Sequence, residues 1–284
     1  MMLALATDPA DAYEDSRAKP FRKEVVTMST TRFSGPVAYS GGANQTAGGT
    51  WFTNLPIQIN PDYVFQYDDF TGIAVDGTND WTYSQLTSGT GAIVADTIGG
   101  WYEIAGTGSD NTGASLQGNE IWAAQASKKI FFETRLISSD ADQMDVFVGL
   151  CENGTLATGV PFATNNQIGF LIVDEAADIY AVCDSGGTET KTDTGVDMAD
   201  GSVSGSTITN SRRLGFVVSG TGMVEFYVDR KLVTTTTGNI PTSELTTWFA
   251  AVAGEATANT ASIDYLLTVS SRTTDGMIQF NKQP

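Results

Sequence analysis

The sequence predicts an all-β protein, built as an antiparallel two-layer sandwich with an extended arm before it. Short apolar runs with period-two alternation recur from Tyr63 onward, as a strand with one wet face requires. Glycine, serine and threonine fill the gaps between these runs, and the chain holds 30 glycines against 8 prolines. Long helical periodicity appears nowhere. Many short strands joined by tight turns predict a sandwich or a jelly roll.

Residues 1–60 are predicted to form an extended N-terminal arm. Asp8–Arg22 has the composition of one short polar helix, with Pro9 in its first turn. The Gly-rich run Ser40–Gly49 follows and has little apolar surface to bury. Because the segment is too poor in apolar residues for a core of its own, we expect it to become ordered on a neighbouring subunit. Trp51 is the expected anchor of that contact.

The predicted sandwich covers residues 61–272, and residues 273–284 are predicted to trail over the surface. Ser185–Gly187 and Ser219–Gly222 have the composition of hairpin turns. Glu120–Lys128 is compatible with two helical turns and equally with a strand-edge loop. The strand-like runs are Val64–Tyr67, Gly100–Ile104, Ile130–Ile137, Asp145–Leu150, Ile168–Val173, Ile179–Cys183, Leu214–Val218, Val224–Val228 and Ile263–Val269.

The charge balance restricts the partners of the protein. With 15 basic and 33 acidic residues the formal net charge is −18, which repels phosphate backbones and anionic lipid heads. No apolar run approaches the ~20 residues that a bilayer-spanning helix needs. We therefore expect neither a nucleic acid nor a membrane as a partner. Four basic residues within Arg17–Lys23 either dock on an acidic protein surface or belong to a solvated tail.

Several kinds of chemistry are excluded by composition. Histidine is absent, which removes Ser-His-Asp and Cys-His nucleophiles, His-ligated zinc and imidazole acid–base catalysis. Cys151 and Cys183 lie in strand-like runs without a CxxC motif, so we expect buried free thiols. The sequence predicts no catalytic residue, no cofactor and no metal site.

Two acidic clusters are the nearest candidates for a metal or catalytic site. Asp140, Asp142 and Asp145 precede a strand, and a solvated turn is favoured there over a calcium site or a catalytic site. Asp76–Asp80 begins like an EF-hand loop, but the sixth position is Trp81 rather than Gly. The five tryptophans are interpreted as packing residues in preference to a sugar-stacking platform; they are Trp51, Trp81, Trp101, Trp122 and Trp248.

The stretch Ile130–Val269 resembles the concanavalin A-like (laminin-G-like) jelly-roll family. The likeness rests on Phe132–Leu136, on Arg213–Val218 followed by Val224–Val233, and on Ile263–Val269 as the closing strand. Arg230 stands where the family commonly has glycine. The resemblance implies a fold and no particular activity. Retaining glucanases of this family carry E-x-D-x-E on one strand, and the sequence has no such run, so the prediction is a non-enzymatic protein.

A shorter resemblance gives the functional hypothesis. Thr31–Val37 is similar to the opening of virion proteins from tailed bacteriophages. It implies a virion structural protein, a homo-oligomeric decoration or cement protein whose arm docks on the major capsid protein or other virion subunits. Its place would be the capsid surface, after assembly in the host cytoplasm. The alternative is a carbohydrate-binding module of a tail fibre or other surface protein. A glycoside hydrolase would need two convergent carboxylates.

Overall fold

The protein is seen in a computed structural model that describes residues 63–72, 81–154, 156 and 166–271. These residues form two antiparallel sheets that pack face to face, which confirms the predicted all-β sandwich. The predicted arm with Trp51, the loop Asp76–Asp80 and the tail at 273–284 lie outside the described residues. Among those described, no helix is both long and apolar enough to cross a bilayer.

Sheet I contains eight strands and sheet II contains seven. The strands of sheet I are β1 (Tyr63–Asp68), β3 (Thr90–Ile93), β4 (Tyr102–Ala105), β6 (Lys129–Ser138), β13 (Arg212–Ser219), β14 (Met223–Val228), β15 (Lys231–Thr236) and β17 (Thr260–Ser271). The strands of sheet II are β2 (Thr82–Leu86), β5 (Gly113–Trp122), β7 (Met144–Cys151), β8 (Asn166–Val173), β9 (Ala176–Ser185), β10 (Thr188–Asp197) and β16 (Leu245–Ala253). A separate hairpin joins β11 (Ser202–Ser204) to β12 (Thr207–Thr209).

The order of the strands differs from their order along the chain. Sheet I runs β15-β14-β13-β6-β17-β4-β3, and β1 pairs with β17 beside β4. Sheet II runs β10-β9-β8-β7-β16-β5-β2. The strand β17, near the end of the described chain, therefore lies in the middle of sheet I, between β6 and the early strands β1 and β4. Such crossed connections are typical of a jelly roll rather than of a simple meander.

The core between the sheets is aromatic at its centre. Phe132 of β6 stacks on Phe216 of β13 with ring centroids 4.9 Å apart, because the two residues are register partners. Phe170 of sheet II meets Phe226 of sheet I edge to face at 5.4 Å. All four rings are at most 1% exposed. Each such ring contributes about 1.5–3 kcal/mol through burial, so this contact joins the two layers.

Two segments differ from what local pattern indicates. Thr188–Asp197 has almost no apolar residue, yet it forms β10 as an edge strand on β9. Gly186 and Gly187 have φ of 62° and 79°, the two-residue turn that aligns these strands. The helical alternative for Glu120–Lys128 is wrong, because β5 continues to Trp122 and buries that indole completely.

The turn between β14 and β15 is made by Asp229 and Arg230. Both have positive φ, 49° and 68°, and Val228 pairs with Lys231, so the hairpin is a type I′ turn. Asp229 is held in place because its Oδ1 accepts from Arg213 N at 3.0 Å. The tight turn is therefore kept although Arg230 replaces the glycine of the family pattern, and the side chain strains the backbone there.

Replacing Arg230 with glycine should raise the free energy of unfolding by about 0.5–1 kcal/mol, because glycine adopts positive φ without a Cβ penalty. The Arg230→Ala variant is the matched control, since it removes the same charge but keeps the Cβ. Urea unfolding followed by tryptophan fluorescence measures both. An equal gain in the two variants would mean that charge, and not backbone strain, is responsible.

Candidate functional site

The outer face of sheet II carries an apolar cluster that is separate from the sandwich core. Its members are Phe147, Cys151, Leu156, Leu171, Val182, Trp248, Ala250 and Val252. The strands β7 and β16 are buried at every residue, so both of their faces are covered. A strand that is buried on both faces has a nearly continuous apolar sequence, so apolar and polar residues alternate only weakly in β7 and β16.

One row of residues crosses this face through a tryptophan and two glycines. The register pairs Trp248 of β16 with Gly149 of β7, and Gly149 with Gly169 of β8. A Cβ at Gly149 would lie 2.4 Å from a backbone oxygen, and one at Gly169 would lie 2.6 Å from the ring of Phe147. The two positions therefore accept only glycine. The row is closely packed, and all three of its residues are buried.

Polar groups lie beside the apolar cluster on the outer face of sheet II, which we call the apolar strip. Ser115 and Gln167 are buried on the same face, and so is Asp184 of β9. In the described part of the chain, Ser115 Oγ, Gln167 Oε1 and Asp184 Oδ1 are buried without a hydrogen-bond partner. A buried polar atom left unpaired costs about 1–3 kcal/mol, so each such atom is a candidate ligand or water contact.

Three carboxylates lie at the same end of the strip. Glu120 Oε1 accepts a hydrogen bond from Asn153 N at 2.9 Å, and Glu152 Oε2 accepts one from Asn166 Nδ2 at 2.7 Å. Burial raises the pKa of the Cys151 thiol, and the charges of Glu152 and Glu120 raise it further. Burial also raises the pKa of Asp184, to which the charge of Glu152 adds. The hydrogen bonds to Asn153 and Asn166 place Glu120 and Glu152 near the end of β7.

The start of the β7–β8 connection covers this face. Gln117 Nε2 of β5 donates to Gly154 O at 2.9 Å, so the chain passes from β7 across β16 to β5. A Cβ at Gly154 would lie 3.5 Å from the ring of Trp248, and Leu156 belongs to the outer cluster. Trp248 is 0% exposed as a result. The indole ring is therefore covered by the chain itself.

The acidic cluster singled out in the sequence is divided by the fold. Asp140 and Asp142 meet Asp200, with carboxylate oxygens within 4.8 Å of one another. Asp145 is instead buried and accepts a hydrogen bond from Asp174 N at 3.0 Å. Burial, with the neighbouring carboxylates, raises the pKa of Asp140 to about 6. Asp200 was missed because it is distant in sequence, and the three oxygens are of the type that holds Ca²⁺.

The described tryptophans and both thiols are buried. Trp81 and Trp122 belong to the sandwich core, Trp101 is buried beneath the Arg135 guanidinium, and Trp248 packs on the outer face of sheet II, so packing describes all four. Cys183 faces the sandwich core, whereas Cys151 faces the outer cluster. The two thiols therefore lie on opposite faces of sheet II, and both are free.

The outer face of sheet I holds a buried acid. Glu133 of β6 is 5% exposed, accepts a hydrogen bond from the Tyr265 hydroxyl, and lies 3.8 Å from Arg213 Nε. Burial raises the pKa of Glu133 to about 7, although Tyr265 and Arg213 act in the opposite direction. Two residues further along β6, Arg135 Nη1 forms an ion pair with Asp264 Oδ2 at 3.4 Å.

Comparison with known proteins gives a likeness in structure alone. No protein-family model matches the chain, and no curated protein matches it. The endo-1,3-β-glucanase of Streptomyces sioyaensis matches with a TM-score of 0.51 at 12% identity, over 75% of this chain and 98% of that one. The laminarinase catalytic domain of Thermotoga petrophila RKU-1 matches at 0.52 and 14%, over 75% and 99%. The carbohydrate recognition domain of Emp47p matches at 0.50 and 12%, over 74% and 95%.

The chain thus has the concanavalin A-like jelly-roll fold, which glycoside hydrolases and carbohydrate-binding proteins share. The prediction of a non-enzymatic protein is wrong, because endo-glucanases are among the structures that share the fold. Neither the missing histidine nor the missing E-x-D-x-E run is a ground for excluding hydrolysis. The virion role inferred from Thr31–Val37 stays a prediction.

Stability should increase as the pH falls from about 8 to about 5. The chain has no histidine, while burial raises the pKa of Glu133 to about 7 and that of Asp145 to about 6. A carboxyl whose pKa is raised in the folded state releases its proton at a higher pH there than in the unfolded state. Its ionisation therefore opposes folding above the folded-state pKa, and this cost is absent below the unfolded-state pKa. In the Glu133→Gln variant, the gain in the free energy of unfolding over this pH range should be smaller by on the order of 2 kcal/mol.

Urea unfolding at several pH values between about 5 and 8 measures the effect for both proteins. Glu244→Gln is the matched control, since it makes the same change at a carboxylate that is exposed. A wild-type stability that falls on acidification over this range would contradict the prediction.

Proposed function

We propose that the chain is a carbohydrate-binding jelly-roll protein whose sugar site is the outer face of sheet II. The observation that carries the proposal is the row of Trp248, Gly149 and Gly169, bordered by buried polar atoms without partners. The aromatic side chains of this face, Phe147 and Trp248, are of the type that packs against the apolar face of a pyranose ring. Ser115 and Gln167 supply the directed polar contacts that such sites need.

The rim favours a neutral glycan. Glu120, Glu152 and Asp184 line one end of the strip, and their negative charge repels uronates and sulfated sugars. Hydroxyl groups of a neutral sugar can donate to these carboxylates and to Gln167 Oε1, which is an acceptor. A β-glucan is the ligand class that we propose, and the glucanases that share the fold support this choice.

Hydrolysis of the bound glucan is a second candidate. Two carboxyl groups about 5 Å apart act as nucleophile and acid–base in retaining glycosidases, and a wider pair acts in inverting ones. The outward positions of β8 are Gln167, Gly169 and Leu171, so a catalytic pair would not come from this strand. Glu120 on β5 and Glu152 after β7 are the candidate carboxylates, since their hydrogen bonds to Asn153 and Asn166 place both near the end of β7.

Gln167→Met and Ser115→Ala should each weaken binding of laminarin or lichenan oligosaccharides, by about threefold to tenfold for one lost hydrogen bond. Neither variant should lower the melting temperature, because each removes a buried polar atom that has no partner in the described part of the chain. Gln66→Met is the matched control: its Oε1 is also buried without a partner, but β1 belongs to sheet I. Isothermal titration calorimetry measures the affinity.

Release of reducing ends from the same glucans tests hydrolysis in parallel. If the chain is a hydrolase, Glu152→Gln or Glu120→Gln abolishes turnover and leaves oligosaccharide affinity nearly unchanged. Wild-type protein that binds neither glucan would overturn the proposed function. Equal weakening by Gln66→Met would also overturn the assignment of the binding face.

The capsid-decoration role is compatible with a glycan-binding sandwich and is proposed beside it. It is supported by Thr31–Val37 and by the apolar-poor segment 1–60, and it concerns the partner and not the sugar site. Full-length chain should co-purify with a large particle at a fixed copy number, while a chain lacking residues 1–60 should remain free. A truncated chain that joins the particle at the same copy number would count against the arm as its anchor.

A further inference from the structure

An apolar row crosses the outer face of sheet I. The register places Phe65 of β1, Val269 of β17, Phe131 of β6 and Val217 of β13 side by side. The residues that flank this row along β6 and β13 belong to the sandwich core, so the row itself points away from the core. Phe65, at the edge, is 57% exposed. We call these four residues the first row.

A second row lies beside the first, two residues further along each strand. It passes from Tyr67 of β1 through Leu267 of β17 and Glu133 of β6 to Gly215 of β13. Tyr67 is 54% exposed, whereas Leu267 is 8% exposed. Two residues of a strand span about 6.6 Å, which is therefore the separation of the two rows. The two rows together form what we call the outer apolar face of sheet I.

No strand in the described part of the chain lies over the outer apolar face. Sheet II packs on the opposite side of sheet I. The β11–β12 hairpin lies against the far end of β6, where a Cβ at Gly201 would be 2.9 Å from Ile137. Apolar side chains that adjoin one another on the outside of a soluble protein mark a surface that another segment or molecule contacts.

The chain leaves sheet I beside this face. β17 ends at Ser271, two residues beyond Val269 of the first row, and residues 272–284 follow it directly. Both edges of this half of β17 are paired, one with β6 and the other with β1. No edge of β17 is therefore available there to a returning segment. Asp275 and Gly276 form an Asp-Gly pair, which is a strong turn signal.

The residues that follow this turn signal match the two rows. Ile278 and Phe280 are apolar, and the polar Gln279 stands between them. In an extended chain, side chains two residues apart point to the same side at a spacing of about 6.6 Å. This spacing equals the separation of the two rows. Ile278 can thus contact the first row while Phe280 contacts the second.

We propose that the outer apolar face of sheet I is the docking surface for residues 277–281 of the same chain. This occupant is favoured over a separate partner because a short linker ties it to Ser271, and short linkers give effective concentrations in the mM range. The docked segment covers sheet I from outside, as the start of the β7–β8 connection covers sheet II. The contact does not depend on the sugar site.

Disulfide trapping in the full chain tests this placement. Phe131→Cys combined with Ile278→Cys should form an intramolecular disulfide under mild oxidation, which non-reducing electrophoresis and peptide mass spectrometry detect. Phe131→Cys combined with Gln279→Cys is the matched control. It should be trapped about tenfold more slowly, because its side chain points away from the face and disulfide geometry is strict. The native Cys151 and Cys183 are buried and do not compete.

Thermal unfolding gives a second readout. Ile278→Ser and Phe280→Ser should each lower the melting temperature by about 4 °C, as the loss of one buried apolar side chain does in a domain of this size. Gln279→Ser should change it by less than about 1 °C. Equal trapping of the two cysteine pairs, or an unchanged melting temperature in both serine variants, would overturn the proposal. A disulfide between two chains would also overturn it, in favour of a second copy on this face.

Discussion

The architecture depends on central strands of sheet II that are buried on both faces. β7 and β16 expose no residue, so their inner faces need sheet I and their outer faces need another cover. The inner requirement is met by the ring contacts of Phe170 with Phe216 and Phe226. The outer requirement is met in part by the chain from Glu152 to Leu156, which is pinned to β5 by Gln117. Exposing these apolar strands to water would cost about 25 cal/mol for each Å² of apolar surface.

The same constraint explains why the candidate sugar site lies where it does. Apolar cover over a sheet leaves little room for polar atoms, yet Ser115, Gln167 and Asp184 are buried on this face with oxygens that lack partners. Buried polar atoms without a protein partner occur in native structures where a ligand or a water molecule supplies the missing hydrogen bond. Gly149 and Gly169 lie beside Trp248 because a side chain at either position would clash with backbone or with Phe147.

The two outer faces of the sandwich differ in electrostatics although they share one acidic chain. At one end of sheet II, burial and the charge of Glu152 raise the pKa of Asp184, and burial with the charges of Glu152 and Glu120 raises that of Cys151. Sheet I instead gathers arginines around Glu133, whose burial outweighs their charge and raises its pKa. A net charge therefore describes this protein poorly, because strand order sorts the charges by face.

Sequence alone determined the layers, because period-two alternation in β13 and β14 is a local property of each strand with one wet face. In β17 a bulge breaks the alternation, so that Ile263 and Leu266 both face the core. It also located the hairpins at Ser185–Gly187 and Ser219–Gly222, since turn chemistry is local too. Only the tertiary structure decided which faces are doubly covered, and it made a strand of Thr188–Asp197, where no apolar run indicates one. The meeting of Asp140 with Asp200, of Arg135 with Arg213 and of Trp248 with Gly149 follows from cross-strand register. Register is set by packing between segments far apart in the chain, and no local pattern encodes it.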